Sequence, residues 1–280
     1  MALRVSPIDS RTLFRPLALE FAALIGTADA AGWTRPTVAP AWRVRDVVAH
    51  LIDTMMRRLS AQRDEYHPPS PVVPITSEAG FVAFINDLNA SWVTASQRLS
   101  PALLTQLFTF AASAHADLME SLPLEAPPLY PVSWAGVDGD LGWLDIGREF
   151  TEQWHHQMQV REALGGPPPS AAVWLQTVLR VAMCGLPHAY RHTPAPDGAS
   201  VVLTVFGQAG GAWSLVRETG EWVLAEGTVA RRATARCEMT DDAAWRLLFN
   251  ALPVERLSDV RCSGDADLLA PLLQARSVVV

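Results

Sequence analysis

Glu152 and His156 stand four residues apart in GREFTEQWHHQMQVREALGG, residues 147–166. On a helix, side chains four apart leave on the same side, one turn above the other. A carboxylate oxygen and an imidazole nitrogen placed in this way can reach one metal ion with the backbone straight. Helical periodicity supports the geometry. Ile146, Phe150, Trp154 and Met158 form an apolar stripe, while Glu149, Glu152, His156, Gln159 and Ala163 fall opposite. A solvated polar face carries the same pattern without any ligand, so a further donor must separate the two readings.

His50 is that donor. It lies in WRVRDVVAHL, on a helix expected over residues 42–65 whose core stripe is Val44, Val47, Val48, Leu51, Ile52, Met55 and Leu59. His50 falls off this stripe, on the side of Asp46, Asp53 and Arg57. That side is either solvated or lines a wet pocket between helices, with Asp46 or Asp53 available to orient the imidazole. His50, Glu152 and His156 together offer three N/O donors and leave positions open, the composition of a catalytic divalent-metal site. The set suits Zn²⁺ best; Fe²⁺, Ni²⁺ and Mn²⁺ also accept these ligand types. His155 competes with His156 but projects about 100° away, as a neighbour or interface residue. Glu149, one turn before Glu152, reads as a partner of the site, a base, or an acidic residue of the helix's first turn. His115 reads as structural.

These residues need elements to hold them. A first helix is expected from Asp9 or Ser10, with Leu13, Phe14, Leu17, Phe21, Leu24 and Ile25 as its apolar face. Ser77 caps a third helix to about Leu99, burying Phe81, Phe84, Ile85, Leu88 and Trp92. Ser100-Pro101 opens a fourth to about Ser121. Residues 67–74 form a proline-rich loop, and 123–142 an irregular one that leads into the helix of Glu152. Asp138 and Asp140 in it lack the rest of a calcium loop. Gly165-Gly166 and the prolines after it stop that helix, and an apolar helix follows over 170–190. From 201 the pattern changes to short strands at 201–207, 212–218, 221–227 and 233–239. A helix at 241–251, one more strand over VERLSDVRCSG and a last helix at 265–275 complete it.

Composition bounds the rest. The 280 residues are 49% hydrophobic and 18% charged, enough for a sizeable core. All 22 cationic side chains are Arg, which excludes Schiff-base lysine chemistry. The net charge of −7 and the lack of a basic stripe argue against a nucleic-acid partner; Arg57–Arg58 and Arg231–Arg232 are too small a footprint. No apolar run spans a membrane, and the first residues lack a signal-peptide core. Cys184, Cys237 and Cys262, far apart and without C-x-x-C, read as buried hydrophobes in a cytoplasmic protein without disulfides.

WRVRDVVAHL and REFTEQWHHQ resemble the two signature segments of the mycothiol-using maleylpyruvate isomerase family, within the DinB-like metal-binding bundles. The resemblance implies that His50, Glu152 and His156 match the family's His, Glu, His metal ligands. It further implies a mainly α, DinB-like four-helix bundle over 1–166, a linker helix and connection over 167–197, and a small α+β, sterol-carrier-like domain over 198–280. The ending VRCSGDADLLAPLL is similar too. The implied function is metal-dependent isomerisation or thiol transfer on a small acid with mycothiol or a similar thiol. Arg57, Arg231, Arg232 and Arg236 are candidates to meet the acid. A metal- or small-ligand-binding protein without turnover and a metal-dependent hydrolase are the rival readings. A small-molecule substrate is expected, with no nucleic acid and no membrane; monomer and homodimer both remain open.

Overall fold

The helix that carries Glu152 runs from Gly142 to Leu164, and the chain divides into two compact units. A computed structural model describes residues 3–67, 77–136, 141–227 and 232–277. Arg231, Asp138, Asp140 and residues 68–74 of the proline-rich loop lie outside the described residues. One unit comprises residues 10–123 and 152–170, the other residues 1–9, 124–151 and 171–279.

The first unit is the helical bundle. After a 3₁₀ turn at Arg11–Leu13, α1 (Phe14–Gly26) buries Phe14, Leu17, Phe21 and Ile25, spaced three or four apart as one face requires. A single turn, α2 (Ala30–Trp33), is capped by Asp29, which accepts from the Gly32 N–H at 2.7 Å, and sends Trp33 into the core. In α3 (Val44–Arg58) Val44, Val47, Val48, Leu51, Ile52 and Met55 are fully buried, and a π-turn over Leu59–Arg63 extends it. The Ser77 hydroxyl caps α4 (Glu78–Ser96) by accepting from the Gly80 N–H.

α4 packs on α3 and is pinned there by Trp92, whose Nε1–H donates to the Ala49 carbonyl at 2.8 Å. Its expected buried set needs correction. Phe81 is 40% exposed, and Phe84, Ile85, Leu88 and Trp92 are half-buried. In α5 (Pro101–Ser121) Ser100 caps and Pro101 occupies the first turn. Leu104, Phe108, Ala111 and Met119 pack inward, and α5 touches both α1 and α3. The helix Gly142–Leu164, α6, brings Trp154, Met158 and Val160 into the bundle.

α6 is also buried on faces that read as polar. Gln153, Gln157 and Arg161, spaced by four, are at most 3% exposed. The Gln153 amide Nε2 sits 3.1 Å from Nδ1 of the fully buried His115, whose ring meets Phe14 edge-on. Arg161 donates to Glu20 Oε1 and to the Pro167 carbonyl, both at 2.9 Å. Gly165, at φ +68°, ends the helix in a left-handed residue that glycine adopts at no steric cost.

The second unit is α+β. Strands β2 (Ser200–Phe206), β3 (Gly211–Glu218), β4 (Glu221–Glu226), β5 (Ala235–Thr240) and β6 (Arg261–Gly264) form a mixed sheet. A short N-terminal strand, β1 (Leu3–Arg4), joins parallel to β4, giving the order β1-β4-β3-β2-β5-β6. Sequence alone did not predict β1, since two residues carry no period. Helices α7 (Ala172–Met183), α8 (Leu186–Ala189), α9 (Asp241–Leu248) and α10 (Ala266–Gln274) belong to this unit, with α8 on β4 and α9 and α10 on β5. Residues 254–259 of the expected last strand are a 3₁₀ helix, and the strand proper is only β6. Cys237 and Cys262 correct the expectation of free thiols. They face each other across β5 and β6 and form a disulfide; only Cys184 remains a free, buried thiol. The pairing is set by strand register between residues 25 apart, which no local cysteine spacing reveals. Among the described residues no helix is long and apolar enough to cross a membrane.

Breaking the ion pair that joins α1 to α6 leaves Arg161 charged and buried. Glu20→Ala is expected to lower the unfolding free energy by about 3 kcal/mol. Urea denaturation measures it, and a loss no larger than that of an exposed ion pair, below about 1 kcal/mol, contradicts the assignment.

Candidate metal centre

His50 on α3 and Glu152 and His156 on α6 converge on one point. Their three ligand atoms all lie within 4.8 Å of one another. Glu152 Oε1 stands 3.1 Å from Nε2 of His50 and 3.1 Å from Nε2 of His156. The two imidazole rings meet edge to face with centroids 4.6 Å apart. Side-chain exposure falls from 31% at Glu152 to 13% at His156 and 4% at His50, so the cluster is reached from solvent on the carboxylate side.

Hydrogen bonding fixes the protons. The amide oxygen of Gln159 lies 2.9 Å from His156 Nδ1 and can only accept, so Nδ1 carries a hydrogen. His156 Nε2 faces the Glu152 carboxylate at 3.1 Å, the contact in which a protonated ring donates a second hydrogen bond. Burial alone would push the His156 imidazole down, but the Glu152 carboxylate and Gln159 hold it above its ordinary value. At His50 burial prevails. It keeps that imidazole below its ordinary value despite the hydrogen bond to Glu152, with the charges of His156 and Arg57 acting in the same direction. His50 Nδ1 is buried and has no hydrogen-bond partner among the described residues. Burial would also raise the Glu152 carboxyl, yet the two imidazoles hold it well below the usual carboxylate range.

Several expected neighbours turn out otherwise. Asp46 does not orient His50: its carboxylate accepts from the Arg43 N–H at 2.9 Å, closing the start of α3, and from Gln97 Nε2 at 2.7 Å. Asp53 pairs with Arg57, Nε to Oδ2 3.0 Å, and Arg57 also donates to Asn89. Glu149 is not in a first turn, because α6 begins at Gly142; it pairs with Arg148 at 2.7 Å. The His155 ring lies 5.4 Å from that of His156, and burial, followed by the His156 charge, pushes it down to about 3. Arg232 and Arg236 are exposed residues of the sheet unit.

Trp42 was missed as part of the site. Its ring centroid lies 4.8 Å from that of His50 and 5.9 Å from that of His156, walling the pair with an apolar face. The Thr37 N–H donates to the Trp42 carbonyl, and Pro36 bridges to Arg43, so a tight loop holds the ring there. Its place eight residues before His50 was the available signal, but a Trp at a helix start reads first as core.

A sequence profile for the mycothiol maleylpyruvate isomerase N-terminal domain matches residues 14–161, more than half of the 280 residues. The chain belongs to the mycothiol maleylpyruvate isomerase family. Two solved structures are similar to it. The mycothiol-dependent maleylpyruvate isomerase is 15% identical, with TM-score 0.52, covering 93% of this chain and 95% of that one. A mutant of the same enzyme is 13% identical, with TM-score 0.51 and the same coverage. At these identities the likeness is one of fold. No curated protein sequence matches this chain. The matched residues of this mycothiol maleylpyruvate isomerase family member include His50, Glu152 and His156, and both expected units, a helical bundle and a mixed-sheet α+β unit, are present.

The two opposing shifts give this family member a pH signature when it carries no metal. A depressed carboxyl contributes stability that is present above its ordinary 4.5 and lost as pH falls through its folded value. A raised imidazole contributes stability that is present below its ordinary 6.5 and lost as pH rises through its folded value. The stability difference between metal-free wild type and Glu152→Gln is therefore expected to peak between those two values and fall on both sides. Urea midpoints at stepped pH check this; a difference that rises or falls monotonically contradicts it.

Proposed function

We propose that this chain is a divalent-metal-dependent enzyme of the maleylpyruvate isomerase type, using a low-molecular-weight thiol such as mycothiol to isomerise a small acid or transfer thiol to it. The observation that carries the reading is the convergence of His50, Glu152 and His156. The residues fit a metal. Two imidazoles and an ionised carboxylate form a three-donor N/O set with room for further ligands, and Zn²⁺ suits it best. When bound, such an ion supplies the Lewis acidity that favours a thiolate at neutral pH.

This chain's own residues supply the rest. Gln159 holds the hydrogen on His156 Nδ1, which leaves Nε2 as the nitrogen aimed at the cluster. The two imidazoles hold the Glu152 carboxyl well below the usual carboxylate range. The Trp42 ring stands beside both imidazoles and gives them an apolar wall. Arg57, fixed by Asp53 and Asn89 and one-third exposed, is the cation of this unit whose charge reaches His50. It is the candidate to receive the carboxylate of an acid substrate. Arg232 and Arg236 lack such an anchor among the described contacts.

Elemental analysis tests the reading first. Wild type is expected to hold about one ion per chain, lost in His50→Ala and in His156→Ala. Because the Glu152 carboxylate and Gln159 hold the His156 imidazole above its ordinary value, metal uptake is expected to release protons; calorimetry in buffers of different ionisation enthalpy measures it. Isomerisation of maleylpyruvate is expected only with added mycothiol, and to fall at least about a hundredfold in either variant. Turnover without thiol points to a hydrolase, and failure to take up Zn²⁺, Ni²⁺ or Fe²⁺ overturns the proposal.

A further inference from the structure

The two imidazoles of the metal centre are secured by different forces. His156 is tied at both ring nitrogens, Nδ1 to the Gln159 amide oxygen at 2.9 Å and Nε2 to Glu152 at 3.1 Å. His50 meets Glu152 through Nε2 at 3.1 Å, but its Nδ1 is buried with no hydrogen-bond partner among the described residues. The carboxylates one turn to either side on α3, Asp46 and Asp53, are engaged by Arg43 and Gln97 and by Arg57. A ligating histidine is ordinarily oriented by a hydrogen bond from its second nitrogen, and its last side-chain torsion is otherwise broad. What meets the His50 ring instead is the Trp42 indole, with centroids 4.8 Å apart and planes at 47°.

The indole is itself built in. The Trp42 N–H donates to the Ala39 carbonyl at 2.9 Å, and the Trp42 carbonyl accepts from the Thr37 N–H at 3.0 Å and the Thr37 hydroxyl at 2.9 Å. The Val44 N–H donates to the Arg35 carbonyl at 3.0 Å, which closes the loop onto the first turn of α3, and the ring packs against the bundle core. A tryptophan side chain has only two torsions, so a backbone bonded at both its polar groups leaves the ring little freedom. We infer that Trp42 is a positioning residue of the metal centre: its ring, in place of a hydrogen bond, keeps the His50 imidazole in the orientation that aims Nε2 at the cluster. The consequence for metal affinity rests on the metal-dependent reading proposed above, whereas the orientation itself is a property of the metal-free protein.

Two full-length variants test this, Trp42→Leu, which stays apolar without a ring, and Trp42→Phe, which keeps one. Trp42→Met takes the place of Trp42→Leu where that variant folds poorly. In competition with a chromophoric chelator, Zn²⁺ is expected to bind Trp42→Leu at least about tenfold more weakly than wild type, and Trp42→Phe within about threefold of it. Nuclear magnetic resonance of the histidine rings in the metal-free protein gives a readout that needs no ion. The His50 ring signals are expected to broaden in Trp42→Leu, while those of His156, fixed by Gln159, stay sharp. His50 signals as sharp in Trp42→Leu as in wild type overturn the inference. So does unchanged Zn²⁺ affinity in that variant, or an equal loss in Trp42→Phe, which would trace the effect to the loop and not the ring. A wild type that takes up no ion counts against the metal-dependent reading alone, because the ring signals still decide this one.

Discussion

A carboxylate drawn to the inner side of a helical bundle must be answered by protons or cations, and Glu152 is answered by two imidazoles. One oxygen faces both Nε2 atoms at 3.1 Å, so α3 and α6 must keep one register or the charge is left uncompensated. Breaking such a buried pair from one side costs far more than forming it gains. The arrangement is thus a weak source of stability and a strong source of specificity. It also tunes the three groups against one another: the two imidazoles hold the carboxyl low, burial holds the His50 imidazole low, and the carboxylate holds the His156 imidazole high.

The rest of α6 obeys the same constraint. Trp154 and Met158 bury apolar surface, but Gln153, Gln157 and Arg161 are buried as well. Gln153 meets His115, and Arg161 meets Glu20, which in turn accepts from the Ser170 hydroxyl at 2.6 Å. Each pairing fixes the rotation of the helix about its axis, because a turn of one residue would swing it by about 100° and strand every partner. Paired polar groups on one side and the imidazole cluster on another therefore define a single orientation of Glu152 and His156.

Helical spacing made the site legible. Four residues between Glu152 and His156, and the displacement of His50 from the valine stripe of α3, follow from the 3.6-residue period alone. Ser100-Pro101 marked the start of α5 to the residue, because cap and proline chemistry are local. What was missed is non-local. The burial of Gln153 and Gln157 went unread, since a polar residue does not announce a buried partner such as His115. Asp46 was offered as a partner of His50, though its position three residues after Arg43 equally suits a helix start, and that is the role it takes. Trp42 reaches the imidazoles through a loop closure, and Cys237 finds Cys262 through sheet register. Neither relation leaves a period in the sequence.

The second unit bears on where the chemistry sits. Its sheet and helices leave a gap of about 10 Å³ among Leu186, Tyr190, Val201, Trp213 and Leu272. That is room for one water at most, and the lining offers it no polar atom to bind, so the gap is an apolar packing defect. The Tyr190 hydroxyl, the polar group closest to it in sequence, is already committed to the Leu268 carbonyl. A domain that carried an apolar ligand between sheet and helices would need a cavity of a few hundred Å³, and among the described residues this interface is filled by Trp, Tyr and Leu side chains instead. That gap is too small for such a ligand, whereas the His50, Glu152 and His156 cluster of the bundle combines donor chemistry with access from solvent.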